Sequence, residues 1–169
     1  AVTYAYDPHG RLSSQTDARN GATSFTYYDS DSVQTTSAPV LGNGEPRQVT
    51  TSYYDSMGRN NGQLLPDGTT VTNFYHPTGL LQRTFGSRTY PVEYAYDSQG
   101  RMKTMKTWQS FNGGAGTAAV TTWNYDAYRG WLLAKDYANP TTGAAGTDGP
   151  NYTYSDGGRL ASRTWARGV

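Results

Sequence analysis

Apolar and polar side chains alternate in short runs along this chain. In the first run Val2, Tyr4 and Tyr6 fall on one side of an extended segment and Thr3 and Ala5 on the other. That is the period of two that marks a β-strand. The run ends at Asp7-Pro8-His9-Gly10. Asp, Pro and Gly are favoured at the first, second and fourth positions of a type I turn, and the Gly suits the positive φ of a bulged hairpin turn. Arg11–Thr16 then reads as the returning strand. Return turns are equally legible, at Asp17-Ala18-Arg19-Asn20-Gly21 and at Pro66-Asp67-Gly68. No helical period persists over eleven residues, so the pattern predicts hairpins throughout.

The hairpin recurs. Tyr94-Ala95-Tyr96-Asp97-Ser98-Gln99-Gly100-Arg101-Met102 and Tyr152-Thr153-Tyr154-Ser155-Asp156-Gly157-Gly158-Arg159-Leu160 repeat the segment Tyr4–Leu12, and Tyr53-Tyr54-Asp55-Ser56-Met57-Gly58-Arg59 is a further copy. Three copies are degraded: Tyr27–Ser32 lacks the Gly, Phe74–Leu81 replaces Asp and Arg, and Trp123–Leu132 carries an extra residue. Taking Tyr6, Tyr28, Tyr54, Tyr75, Tyr96, Tyr125 and Tyr154 as anchors gives a basic period of about 21 residues. The longer intervals hold inserts at Ser37–Gln48, Ser110–Ala119 and Ala138–Pro150, all of loop-forming composition. Units this short cannot each hold a core and must share one with their neighbours. The expected fold is therefore all-β: a curved antiparallel sheet of about seven consecutive β-hairpin repeats, solenoid- or shell-like, with residues 1–169 forming a single array.

Composition says where the buried area comes from. Ile is absent, and Leu, Val and Phe together number 21 of 169 residues, whereas Tyr and Trp number 15 and 4. The rings must supply the packing. A formal charge of +1 gives no footprint for nucleic acid. No apolar run approaches a membrane-spanning length. Without cysteine there is neither a disulfide framework nor a thiolate metal site. Ala1-Val2-Thr3-Tyr4 does not read as a signal peptide, which suggests a mature or excised chain.

The recurring residues fit structural duties. Each anchor Tyr is expected to pack its ring on that of the next unit. Asp7, Asp29, Asp55, Asp97 and Asp126 read as turn starters whose carboxylates accept backbone N–H bonds. Arg11, Arg59, Arg101 and Arg159 are placed to pair with such groups. Asp29-Ser30-Asp31-Ser32 hints at calcium but lacks the Gly and closing Glu of an EF-hand loop. His9 and His76 stand at variable turn positions, with no nucleophile elbow or zinc-protease motif near them. No cofactor is expected. The aromatic residues outside the anchor pattern are the candidates for ligand contact, by stacking on a sugar face: Trp108, Trp131, Trp165, Tyr128 and Tyr137. Trp131 reads as a replacement for the Leu after the turn. Acids outside the repeat (Glu45, Glu93, Asp136 and Asp148) are the only ones left for glycoside chemistry.

The Tyr-Asp-x-x-Gly-Arg-Leu motif at this period resembles the YD-repeat or Rhs-repeat family, over nearly the whole chain. Those repeats occur in bacterial Rhs polymorphic toxins, in Tc toxin B and C components and in teneurins. The resemblance implies a long antiparallel sheet spiralling into a hollow shell, which in the toxins encloses a C-terminal effector. Seven units are too few to close such a shell, and no match to the family's self-cleaving core is visible. The resulting expectation is a non-catalytic shell segment that encapsulates or displays a larger protein, secreted or at the cell surface. Its expected partners are adjoining repeats or an effector domain, with edge strands open to pairing with another copy. The alternative is a carbohydrate-binding module with a polysaccharide ligand.

Overall fold

The computed structural model describes residues 1–40, 42 and 44–166. Among these the chain forms fourteen strands and one short 3-10 turn at Asn112–Gly114. The strands are β1 (Val2–Tyr6), β2 (Leu12–Asp17), β3 (Gly21–Tyr27), β4 (Val33–Ser37), β5 (Val49–Tyr54), β6 (Asn60–Leu64), β7 (Thr70–Tyr75), β8 (Leu81–Gly86), β9 (Thr89–Tyr96), β10 (Met102–Trp108), β11 (Ala118–Tyr125), β12 (Leu132–Asp136), β13 (Asn151–Tyr154) and β14 (Leu160–Thr164). Their order in the sheet is their order in the chain, an antiparallel meander. The fold is all-β, as the alternation predicts. Contacts divide it into two compact units: Ala1–Phe74 with Phe85–Thr89, and Tyr75–Thr84 with Tyr90–Val169.

In the first unit the tip turns after β1 and β5 are each tied by their own Asp. Asp7 N–H donates to the Arg11 carbonyl at 2.8 Å and Gly10 N–H to the Asp7 carbonyl at 2.9 Å. One carboxylate oxygen of Asp7 accepts the N–H groups of His9 and Arg11, both at 2.9 Å. The other accepts Arg11 Nε at 2.7 Å. Asp55 and Arg59 repeat the arrangement. Each turn is followed by a bulge that sets the register, pairing Tyr6 with Leu12, Tyr27 with Val33 and Tyr54 with Asn60.

Register corrects the second anchor. Tyr27, not Tyr28, holds the place opposite Val33. Tyr28 stands where other copies have Asp, with its N–H bonded to the Ser32 carbonyl. The missing Gly is replaced by Asp31, which adopts a φ of 64°. Asp tolerates that left-handed conformation better than most residues. Its carboxylate also accepts Arg11 Nη1 at 2.5 Å.

The second unit follows the same plan. Asp97 and Arg101 form the carboxylate–guanidinium tie, and register pairs Tyr96 with Met102, Tyr125 with Leu132 and Tyr154 with Leu160. In the wider turn Asp126 N–H reaches the Trp131 carbonyl at 2.8 Å. Trp131 therefore stands at the Arg position of its hairpin, not at that of the Leu, which is Leu132.

The inserts fall in return connections, after β4, β10 and β12. Leu41 and Asn43 of the first insert lie outside the described residues. Arg47 fixes that loop by donating to the carbonyls of Ala38 at 2.6 Å and Ala22 at 2.9 Å.

Burial is shallow, as expected of a single layer of strands. Among the described residues the buried apolar side chains are those of Trp108, 4% exposed, and Pro150. The rings of Tyr27, Tyr54, Tyr96, Tyr125 and Tyr154 are half-buried. Taking roughly half of a ~200 Å² ring from water gives about 2.5 kcal/mol each.

Candidate functional site

A contact that joins one hairpin to the next recurs four times among the described residues. Tyr27 donates its hydroxyl to the Leu12 carbonyl of the preceding hairpin at 2.8 Å. Tyr96 does so to Leu81 at 2.9 Å, Tyr125 to Met102 at 2.9 Å and Tyr154 to Leu132 at 2.9 Å. In two of these junctions the preceding Arg lies over the ring, with Arg11 Cζ 4.7 Å from the Tyr27 centroid and Arg101 Cζ 4.3 Å from that of Tyr125. Trp131 takes the Arg role against Tyr154, ring to ring at 4.9 Å.

The expected ladder of anchor rings is thus a ladder of a different kind. Tyr27 and Tyr125 are each held by the Arg and carbonyl of the preceding hairpin, Tyr96 by the carbonyl and Tyr154 by the carbonyl and Trp131, while one pair of the expected anchors, Tyr28 and Tyr54, does meet ring to ring at 6.1 Å. The reason is the Arg: its guanidinium is flat, stacks on a ring and keeps its N–H groups for Asp.

These ties have an electrostatic signature. Partial desolvation pushes the carboxyls of Asp7, Asp55 and Asp97 up, but N–H bonds from the turn backbone and the following Arg outweigh it and hold all three below the ordinary Asp value. Burial pushes the Tyr96 and Tyr125 hydroxyls up. Glu93 is held low in the same way by Arg83 and Lys106, which bind its carboxylate against desolvation. Asp136 accepts the Asn124 amide at 2.6 Å. Among the described residues no group of three His, Cys, Asp or Glu side chains could hold a metal ion.

The candidate ligand residues separate into two kinds. Trp108 is buried, donates its indole N–H to the Gly116 carbonyl at 3.1 Å and meets Phe111 edge-on at 5.2 Å. It holds the 109–117 loop and cannot offer a stacking face. Trp131 packs into the hairpin junction, with Arg129 over it at 4.7 Å. By contrast Tyr128 is 97% exposed at its hairpin tip. Tyr137 and Trp165 are partly exposed and carry cations: Lys135 Nζ is 5.1 Å from the Tyr137 ring and Arg163 Cζ 3.6 Å from the Trp165 ring.

One groove departs from the repeat. In the second unit the loops after β10 and β12 border a cleft of about 560 Å³ whose lining includes Tyr90, Thr107, Trp108, Gln109, Thr141 and Thr142. Tyr90 is 76% exposed there. The lining is uncharged and mixes hydroxyl and amide groups with apolar Ala118, Ala119 and Pro140; of its two rings Tyr90 is exposed and Trp108 is buried. Tyr90 escaped the sequence reading because it follows the short return turn after β8, far from any insert. Smaller grooves separate neighbouring tips, one lined by Tyr28, Asp29, Tyr54 and Asp55, another by Gln99, Arg101, Tyr128 and Arg129.

Comparison with known proteins places the fold. No protein-family profile matches the sequence, and no curated protein does. Among solved structures the chain is similar to the crystal structure of TcdB2-TccC3-Cdc42, with a TM-score of 0.68 and 15% identity over 96% of this chain. It is similar also to TcdB2-TccC3-TEV, at 0.68 and 14% over 97%, and to the Photorhabdus luminescens Tc holotoxin pore carrying TccC3-D651A, at 0.54 and 15% over 96%. The chain spans only 9%, 9% and 12% of those chains. The likeness is one of fold: the strand meander of this protein is the one found in Tc toxin components.

Proposed function

We propose that this chain is a non-catalytic structural segment of a YD-repeat shell, which encapsulates or displays a larger protein outside the cell or at its surface. The observation that carries the proposal is the use already made of most of the recurring side chains. Asp ties the turn, Arg spans turn and ring, and Tyr bonds the preceding hairpin. A wall built of such hairpins presents no residue of the repeat for chemistry. Its adjoining repeats and any effector domain are the partners this role requires.

The test uses the longest natural polypeptide that contains these repeats. Limited proteolysis should leave its non-repeat portion protected, and Tyr96→Ala with Tyr125→Ala should expose that portion by loosening two junctions. Equal digestion in the parent would overturn the enclosing role. Recovery of the protein only from the cytosol would overturn the location.

A second reading, carbohydrate binding, is favoured by the neutral cleft at Tyr90 and the bare ring of Tyr128. Aromatic platforms flanked by hydroxyl and amide groups suit a neutral glycan. Affinity electrophoresis against soluble polysaccharides decides it. Retardation lost on Tyr90→Ala or Tyr128→Ala supports this reading, and no retardation by any glycan removes it.

A further inference from the structure

The loop after β10 holds a pair of residues placed to react with each other. When Gly follows Asn, its backbone nitrogen can close on the Asn side-chain amide with no Cβ in the way. The described residues include three complete Asn-Gly pairs: Asn20-Gly21, Asn61-Gly62 and Asn112-Gly113. The sheet engages two of them. Gly21 opens β3 opposite Asp17, and Gly62 is buried in β6 between Tyr53 and Thr72.

Asn112-Gly113 differs on each count. It belongs to no strand, and both residues are exposed. Asn112 has a φ of 43° and Gly113 one of 70°. Among the described residues neither the Gly113 N–H nor the Asn112 amide makes a hydrogen bond, whereas the next N–H, that of Gly114, is held by the Phe111 carbonyl at 2.7 Å. A Cβ built on Gly113 would meet nothing within 4 Å, so the nitrogen is open to solvent and free to turn. The loop around the pair is tied only at a few points. Gly116 N–H also reaches the Phe111 carbonyl, at 3.4 Å, and the Phe111 ring packs on Trp108 and lies 5.9 Å from Arg83 Cζ.

We propose that Asn112-Gly113 is a site of spontaneous deamidation that loosens the 109–117 loop. The Gly113 nitrogen attacks Asn112 Cγ. A C–N bond forms, and the side-chain nitrogen leaves as ammonia with the proton from Gly113, giving a five-membered succinimide. Solvent water then opens the ring at either carbonyl and returns a proton to the Gly113 nitrogen. Opening at the side-chain carbonyl gives Asp. Opening at the main-chain carbonyl gives isoaspartate, whose backbone is one methylene longer. That extra length sits inside the turn that brings Gly114 and Gly116 to the Phe111 carbonyl, so the turn no longer closes. Gln109 and Thr117, near the ends of the same loop, line the cleft at Tyr90, so the change acts on the border of that cleft.

The test uses the full native chain, incubated in mildly alkaline buffer made with heavy-oxygen water and mapped by mass spectrometry of its peptides. Residue 112 should take up the label, with both Asp and isoaspartate formed. Conversion there should run at least ~10-fold faster than at Asn61, where the ladder must first open, and ahead of Asn20. The aged chain should be cut by protease within 109–117 at least ~5-fold faster than the fresh chain, and aged Asn112→Gln, whose longer side chain closes a ring poorly, should not show this gain over its own fresh sample. Asn112 remaining intact while Asn20 or Asn61 converts would overturn the site. Conversion at Asn112 with unchanged cutting would overturn the loosening. The mapping needs no variant, so it decides the site even if Asn112→Gln disturbs the loop.

Discussion

Removing a single oxygen from Tyr125 tests the hairpin junction most cleanly. The hydroxyl donates to the Met102 carbonyl at 2.9 Å from a half-buried site, while the ring stays under Arg101. Tyr125→Phe keeps the ring and loses one neutral hydrogen bond, a cost of about 1 kcal/mol. Tyr125→Ala also loses the half-buried ring, a further 2–3 kcal/mol or so. Tyr6 is the built-in control in this 169-residue chain, because it has the same place in its hairpin and is 63% exposed. In the same 169-residue chain Tyr6→Phe should cost about 0 kcal/mol. Urea unfolding followed by tryptophan fluorescence measures all three, and alkaline titration of tyrosine absorbance adds a second readout. In the parent Tyr125 should ionise above the ordinary tyrosine value because burial opposes its charge. If Tyr125→Phe were indistinguishable from the parent, or if Tyr6→Phe cost as much, the junction would not rest on that bond.

The remaining predictions concern acid, backbone and loop. Because the folded chain holds Asp7, Asp55 and Asp97 below the ordinary Asp value, their contribution is full above about pH 4 and is lost as pH falls through the lowered values. Urea midpoints from pH 6 to pH 2 should drop in that acid limb, and the drop should shrink in the Asp7→Asn/Asp55→Asn/Asp97→Asn variant. Gly86 has a φ of 155°, and a Cβ there would run into the Thr70 carbonyl. Gly86→Ala should therefore cost at least ~2 kcal/mol in thermal unfolding. Trp108→Leu removes the indole that bonds Gly116 and packs on Phe111, so protease should cut within 109–117 at least ~10-fold faster than in the parent. An unchanged cutting rate would mean the loop is held by other contacts.

The hairpins were legible because turn chemistry is local. Asp7-Pro8-His9-Gly10 states its own conformation, and alternation states which residues share a face. The anchors could be read to within one residue, and the miss is instructive. In Tyr27-Tyr28 two adjacent rings compete for one place, and the motif favours the ring before Asp. The register is set instead by which residue can take a positive φ, and Asp31 does so at 64°. Trp131 was misassigned because the turn at Asp126 holds one more residue than the others, which shifts every position after it. The candidate site was less legible. Exposure depends on what a loop folds over, and Trp108 and Tyr128, both aromatic and both outside the repeat, end at 4% and 97% exposed. The partnership of Arg with the next Tyr was also hidden, since it joins residues 16 or 24 apart.

The two kinds of connection divide the labour of change. Tip turns carry the Asp tie and the bulge, and they stay near one length. Return connections range from the two residues between β8 and β9 to the fourteen between β12 and β13. They have no part in setting the register, so lengthening one costs little beyond loop closure, about 0.6 kcal/mol for each doubling. A sequence of this design is free to experiment on one side of every hairpin while the other stays fixed. Differences in recognition between such chains would then be written in their return loops, and a foreign peptide spliced into one of them would inherit a rigid frame without disturbing it.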